Sequence, residues 1–175
     1  MRAWTTATVL FIAIFSVGQE AKTPATLKTI LVQQLRETHD QKQWFVSEKE
    51  AVAGLTPEQA AWSDGKNHSV GQLVQHLNYW NGRSLAALKK QTQGKDTDDN
   101  NETFNFKPQD WDATLKQFDQ IMTDLEAVVQ SADDATLAKV APNLARIAQH
   151  NAYHIGEMVT SRKKQGSWNP ENGVK

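Results

Sequence analysis

Hydrophobic residues recur at intervals of three and four along most of the chain, and no stretch sustains two-residue alternation, so the pattern predicts helices and no sheet. Leu27, Ile30, Leu31, Leu35, Phe45 and Val46 make the first stripe, which reads as one helix of about seven turns opened by Thr23 and Pro24. Residues 54–67 contain Thr56-Pro57-Glu58 and Ser63-Asp64-Gly65 and read as a connector. A second helix is expected after Ser69, with Val70, Leu73, Leu77, Trp80 and Leu88 on one face. The polar run at 91–103 (QTQGKDTDDNNET) has nothing to bury and reads as a solvated loop. The cleanest stripe, Trp111, Leu115, Phe118, Met122, Leu125 and Val129, predicts the third helix. Residues 131–141 read as a turn or short helical piece. Pro142 then restarts the chain as a fourth helix carrying Leu144, Ile147, Asn151, His154, Ile155 and Met158 to about Gly166. Residues 169–175, with Pro170 and Gly173, read as an irregular tail. Four amphipathic helices bury their stripes most simply as an all-α four-helix bundle, a single domain over residues 22–168.

The first residues differ from the rest. Arg2 precedes an unbroken apolar run at 9–15 (VLFIAIF), and Ser16-Val17-Gly18 supplies the small residues of a cleavage site. Residues 1–18 therefore read as a signal peptide, and the expectation is an exported protein, periplasmic or secreted; a cytoplasmic protein with a buried or disordered N-terminal segment is the alternative. The apolar run is shorter than the ~20 residues of a bilayer-spanning helix, so no stable membrane span is expected. In the whole 175-residue chain 19 Lys and Arg face 20 Asp and Glu, a net charge of −1 that argues against a nucleic-acid binder. The absence of Cys excludes disulfide scaffolds, Cys-ligated zinc, iron–sulfur clusters and thiol nucleophiles. There is no Gly-rich phosphate loop, no G-x-S-x-G elbow, no H-E-x-x-H and no Glu-x-x-His pair of the di-iron kind.

What remains is histidine. His150 and His154 stand four apart on the fourth helix and share a face with Ile147, Asn151 and Met158, so both rings are expected to turn inward. Two imidazoles facing an apolar core without partners are costly, and a shared cation removes the cost. His76 falls between Leu73, Leu77 and Trp80 on the second helix and is the candidate third ligand; a satisfied core histidine is the plainer alternative. Three His from two helices leave a coordination position open for water or substrate. Glu157 shares the face of His150 and His154 and is a candidate for two roles: partner of an imidazole N–H, or general base, the catalytic assignment; an exposed helix glutamate with neither role is the alternative. His39 reads as a surface or edge residue with a fourth-ligand role as the alternative, and His68 as a capping or solvent-facing residue. Tyr79, Trp80 and Tyr153 are candidates for a pocket mouth.

Two segments, LTPEQAAW at 55–62 leading into SVGQLVQHLNYWN at 69–81, and HNAYHIGEM at 150–158 followed by RKKQGSW at 162–168, resemble the DinB-like (damage-inducible B) superfamily. The resemblance implies a four-helix bundle with an unusual crossover and a divalent metal held by His76, His150 and His154. It also implies activation of a low-molecular-weight thiol, as in mycothiol- and bacillithiol-dependent transferases, or an isomerase or hydrolase. Glu157 departs from the Gln common in the family, and an export signal departs from dependence on a cytosolic thiol pool. The expectation is a metal-dependent hydrolase or transferase acting on a small molecule through Zn, Ni or Fe. A non-catalytic metal-binding or sensing bundle is the alternative, and a homodimer is one option for its assembly. Imidazole ligands do not select among these metals.

Overall fold

The computed structural model describes residues 24–173, so the segment read as a signal peptide lies outside the described residues. Helix α1 (Leu27–His39) opens at Thr26, whose hydroxyl accepts from the Thr29 N–H in a capping box, three residues later than the Thr23-Pro24 start expected. It also ends early. The expected stripe held no apolar residue between Leu35 and Trp44, and without one a helical continuation had nothing to bury there. The chain leaves the helix at Asp40, Trp44 is fully exposed, and Val46 re-enters the core ahead of a separate short helix α2 (Glu48–Val52). Ile30 also departs from the expected stripe, at 44% exposed.

Thr56 caps α3 (Pro57–Ala61) with Pro57 in its first turn, and Ser69 caps α4 (Val70–Leu88), both through capping boxes. Helix α5 (Trp111–Ser131) follows, and a single long helix α6 (Asp134–Gln165) closes the bundle. Asp133 caps α6, and Gly166, in the left-handed region at φ 80°, stops it. The restart expected at Pro142 does not occur, because Pro142 sits inside α6. A proline in a helix interior costs about 3 kcal/mol. Leu137 and Leu144 on either side are each 1% exposed. Burying two such side chains returns roughly 3–6 kcal/mol, enough to keep the helix continuous.

Helix α1 packs against α5 and α6, and α4 packs against the same two, so α1 and α4 stand diagonally across the core. The connector bearing α2 and α3 carries the chain between these diagonal corners, the crossover implied by the resemblance. Leu35, Leu73, Leu77, Phe118, Met122, Leu125, Ile155 and Met158 fill the centre. The described residues contain no strand, and no helix among them is long and apolar enough to cross a membrane.

The loop between α4 and α5 is anchored rather than free. Residues Asn100–Phe104 form a 3-10 turn capped by Asp99, and Thr103 and Phe104 within it are buried. The Tyr79 hydroxyl accepts from the Thr97 N–H at 2.9 Å, the Trp80 indole donates to Asn100 Oδ1, and Arg83 pairs with Asp96. Gly71 matters here: a Cβ at that position would overlap the Phe106 ring, so glycine lets this segment lie directly on α4. The expectation of a wholly solvated loop ignored Phe104 and Phe106 at its end, whose burial ties it down.

Candidate metal centre

The α4 stripe delivers His76, 3% exposed, to the interface with α6, where His150 and His154 arrive one turn apart. The Nε2 atoms of His76 and His150 are 3.2 Å apart, and those of His150 and His154 are 3.0 Å apart. One ligand atom from each of the three lies within 4.8 Å of the others, and no other trio of His, Asp or Glu among the described residues converges so closely. Two nitrogens bound tetrahedrally at ~2.0–2.1 Å to one ion stand ~3.3–3.4 Å apart, a few tenths of an ångström from the spacing here.

The remaining ring nitrogens fix how these atoms present themselves. The Thr103 hydroxyl donates to the Asn100 carbonyl at 2.6 Å, so its oxygen accepts from the His76 Nδ1–H, also at 2.6 Å. The Glu157 carboxylate accepts from the His154 Nδ1–H at 2.6 Å. Both partners place the proton on Nδ1 and leave a lone pair on Nε2. His150 Nε2 lies between these two lone pairs and carries at most one proton when neutral, so one nitrogen–nitrogen contact must lack a hydrogen. Charging His76 and His150 is opposed. Burial, then the neighbouring His154, His150 and His68, pushes His76 down to about 3, and burial followed by His154 lowers His150. Converging imidazole nitrogens with free lone pairs are what a divalent cation requires.

Packing holds the set rigid. The Phe104 ring stacks on His76 with centroids 4.1 Å apart and on His68 at 3.8 Å, both nearly parallel, so the two imidazoles take opposite faces of the phenyl. His68 is thus an exposed stacking residue, and Ser69, not His68, supplies the cap of α4. Beside the trio, Asn81 donates its amide to Asn151 Oδ1 at 2.9 Å, with both amides buried over the Met122 sulfur. That pair fixes the register of α4 against α6, and with it the distance from His76 to the other two histidines.

Glu157 therefore occupies the N–H partner position of its two expected roles, and the Glu157 charge raises the pKa of exposed Tyr153. His39 is corrected: it is 5% exposed, stands outside the trio, and sits between two carboxylates of α5. Its Nδ1 is 3.2 Å from Glu126 and its Nε2 3.0 Å from Asp119, because α1 packs directly on the face of α5 that carries them. Thr103, Phe104 and the Asn81–Asn151 pair were missed as site residues. The only sequence signal for the first two was the aromatic pair ending an otherwise polar run.

Two openings flank the trio. A cavity of about 410 Å³ is lined by Glu157, Tyr153, His68, Lys66 and Lys164. A groove of about 210 Å³ between α4 and α6 is lined by His150 itself, with Trp80, Ser84, Asn143 and Arg146. Tyr79 lines neither of these walls and instead holds Thr97.

No curated protein and no solved structure matches the chain. The profile of the DinB superfamily matches residues 49–158, from α2 through the last of the three histidines. With that match over more than half of the chain, on an all-helical bundle, the chain belongs to the DinB superfamily.

Proposed function

We propose that His76, His150 and His154 hold one divalent transition-metal ion through their Nε2 atoms and that the protein is a metal-dependent enzyme of the hydrolase or thiol-transferase type. The observation that carries this is the hydrogen bonding of the outer nitrogens: Thr103 and Glu157 each claim an Nδ1 proton, leaving free the Nε2 atoms that stand 3.2 and 3.0 Å from His150 Nε2. When bound, the ion supplies Lewis acidity that lowers the pKa of a water or thiol in its open position. Thr103 and Glu157 orient His76 and His154, and burial keeps His76 uncharged. Phe104 shields one face of His76 from water. We assign Glu157 as a positioning residue in this scheme.

Equilibrium dialysis against Zn²⁺ tests the reading. One ion per chain is expected for the wild type, and a substoichiometric plateau refutes the site. Thr103→Val removes the acceptor of the His76 N–H, and affinity is expected to fall by about 10–100-fold. Glu157→Gln keeps an acceptor but loses its charge, so a smaller loss of up to about 10-fold is expected. Unchanged affinity in that variant would detach Glu157 from ligand orientation and return it to the general-base role.

The proposal includes export through cleavage near residue 18, which removes the protein from cytosolic thiols and favours water as the activated group. The intact mass of protein recovered outside the cytoplasm should lack residues 1–18, and a full-length mass would refute it.

A further inference from the structure

The groove beside His150 has a chemistry of its own. Its wall combines the Arg146 guanidinium, the Ser84 hydroxyl and the Asn143 amide, and no carboxylate. None of these three side chains has a hydrogen bond or ion pair among the described residues. Asn143, Arg146, His150 and His154 follow one another on α6 at steps of three, four and four, so they share the face turned toward α4. A four-residue step rises about 6 Å, which places the Arg146 position one turn beyond His150. Trp80 and Ile147 supply apolar walls between the two ends. The larger cavity differs: it stops at Glu157 without including any of the three histidines, it contains Asp64 and Glu157, and its Lys164 is already bonded to Asp64 at 2.8 Å.

We propose that the groove is a carboxylate subsite, so that the substrate is a small molecule whose carboxylate pairs with Arg146 while its reacting group lies about one helical turn away, beside His150. Planar guanidinium forks bind carboxylates through paired, charge-assisted hydrogen bonds, and Ser84 and Asn143 can donate to the oxygens that remain. The substrate class is a small dicarboxylate, or an ester, amide or thioether bearing a distal carboxylate. This inference rests on the metal reading above.

The test uses Co²⁺-loaded protein at fixed ionic strength, with the cobalt absorption spectrum as the readout for added succinate and acetate. Succinate reaches both ends of the groove and acetate only one, so the wild type is expected to bind succinate at least about tenfold more tightly. Arg146→Gln, an exposed position, should bring succinate to the acetate level and leave acetate unchanged. Lys66→Gln, in the larger cavity, should leave the preference intact. Equal binding of the two anions by the wild type overturns the subsite, as does a preference that survives Arg146→Gln or disappears in Lys66→Gln. A chain that takes up no cobalt, or that keeps it in His150→Ala, overturns the metal reading and the subsite with it. Normal cobalt uptake with no preference overturns the subsite alone.

Discussion

His150→Ala is expected to remove most of the stabilisation that Zn²⁺ confers on the wild type while leaving the metal-free fold intact. His150 is the shared neighbour in the trio, within 3.2 Å of one Nε2 and 3.0 Å of the other, so its removal takes away the central ligand and leaves two. Structural zinc sites are worth about 10–16 kcal/mol over four ligands, so one imidazole carries on the order of 3–4 kcal/mol, or roughly 10²–10³ in affinity. At a free Zn²⁺ concentration ~1,000 times the wild-type dissociation constant, the wild type gains about 4 kcal/mol and the variant only about 0.4–1.4 kcal/mol. The metal-free comparison runs the other way. Alanine is the best helix former, and deleting this ring relieves the contact in which two lone pairs face each other. Urea unfolding with and without Zn²⁺ reads both effects. An equal zinc-dependent gain in the two proteins would sink the ligand assignment. A collapse of the metal-free variant would show that His150 is a packing residue.

The parts of this molecule that were legible in the sequence are those set by short spacings. The inward turn of His150 and His154 follows from a four-residue step within an apolar stripe, and Ser69 announced the start of α4. Where the reading failed, the deciding interaction was tertiary. Pro142 is a local stop signal overridden by the burial of Leu137 and Leu144. His39 sits on the edge of its stripe, and only the docking of α5 puts Asp119 and Glu126 against it. Thr103 meets His76 across 27 residues of chain, in a segment whose composition suggested nothing but solvent. The candidate ligands were therefore visible one by one, whereas the groups that fix their tautomers became visible only once the loop was folded onto α4.

Glu48→Gln is expected to stabilise the metal-free protein by about 2–4 kcal/mol above pH 8 and to remove a pH dependence that the wild type shows. Glu48 opens α2 beside its cap Ser47, is 5% exposed, and has no hydrogen-bond partner for Oε1. It lines a cavity of about 240 Å³ together with His39 and Asp119. Burial first, and the Asp119 charge second, pushes its carboxyl up to about 8 from an ordinary 4.5. Between those values the unfolded chain has released a proton that the folded chain still holds, so raising the pH favours unfolding. His76 acts in the opposite sense at lower pH. Its folded value of about 3 lies below the ordinary 6.5, so its contribution is lost as pH falls through that interval. The two effects overlap below pH 6.5, whereas from there to about 8 Glu48 dominates. Over that window, in the presence of a chelator, the wild type should lose about 2 kcal/mol in urea unfolding, while Glu48→Gln stays flat. A flat wild-type profile would mean that the Glu48 carboxyl reaches water or a partner when folded. The predicted slope would instead identify a buried acid kept neutral by its surroundings, with the Asp119 charge adding to the effect of burial.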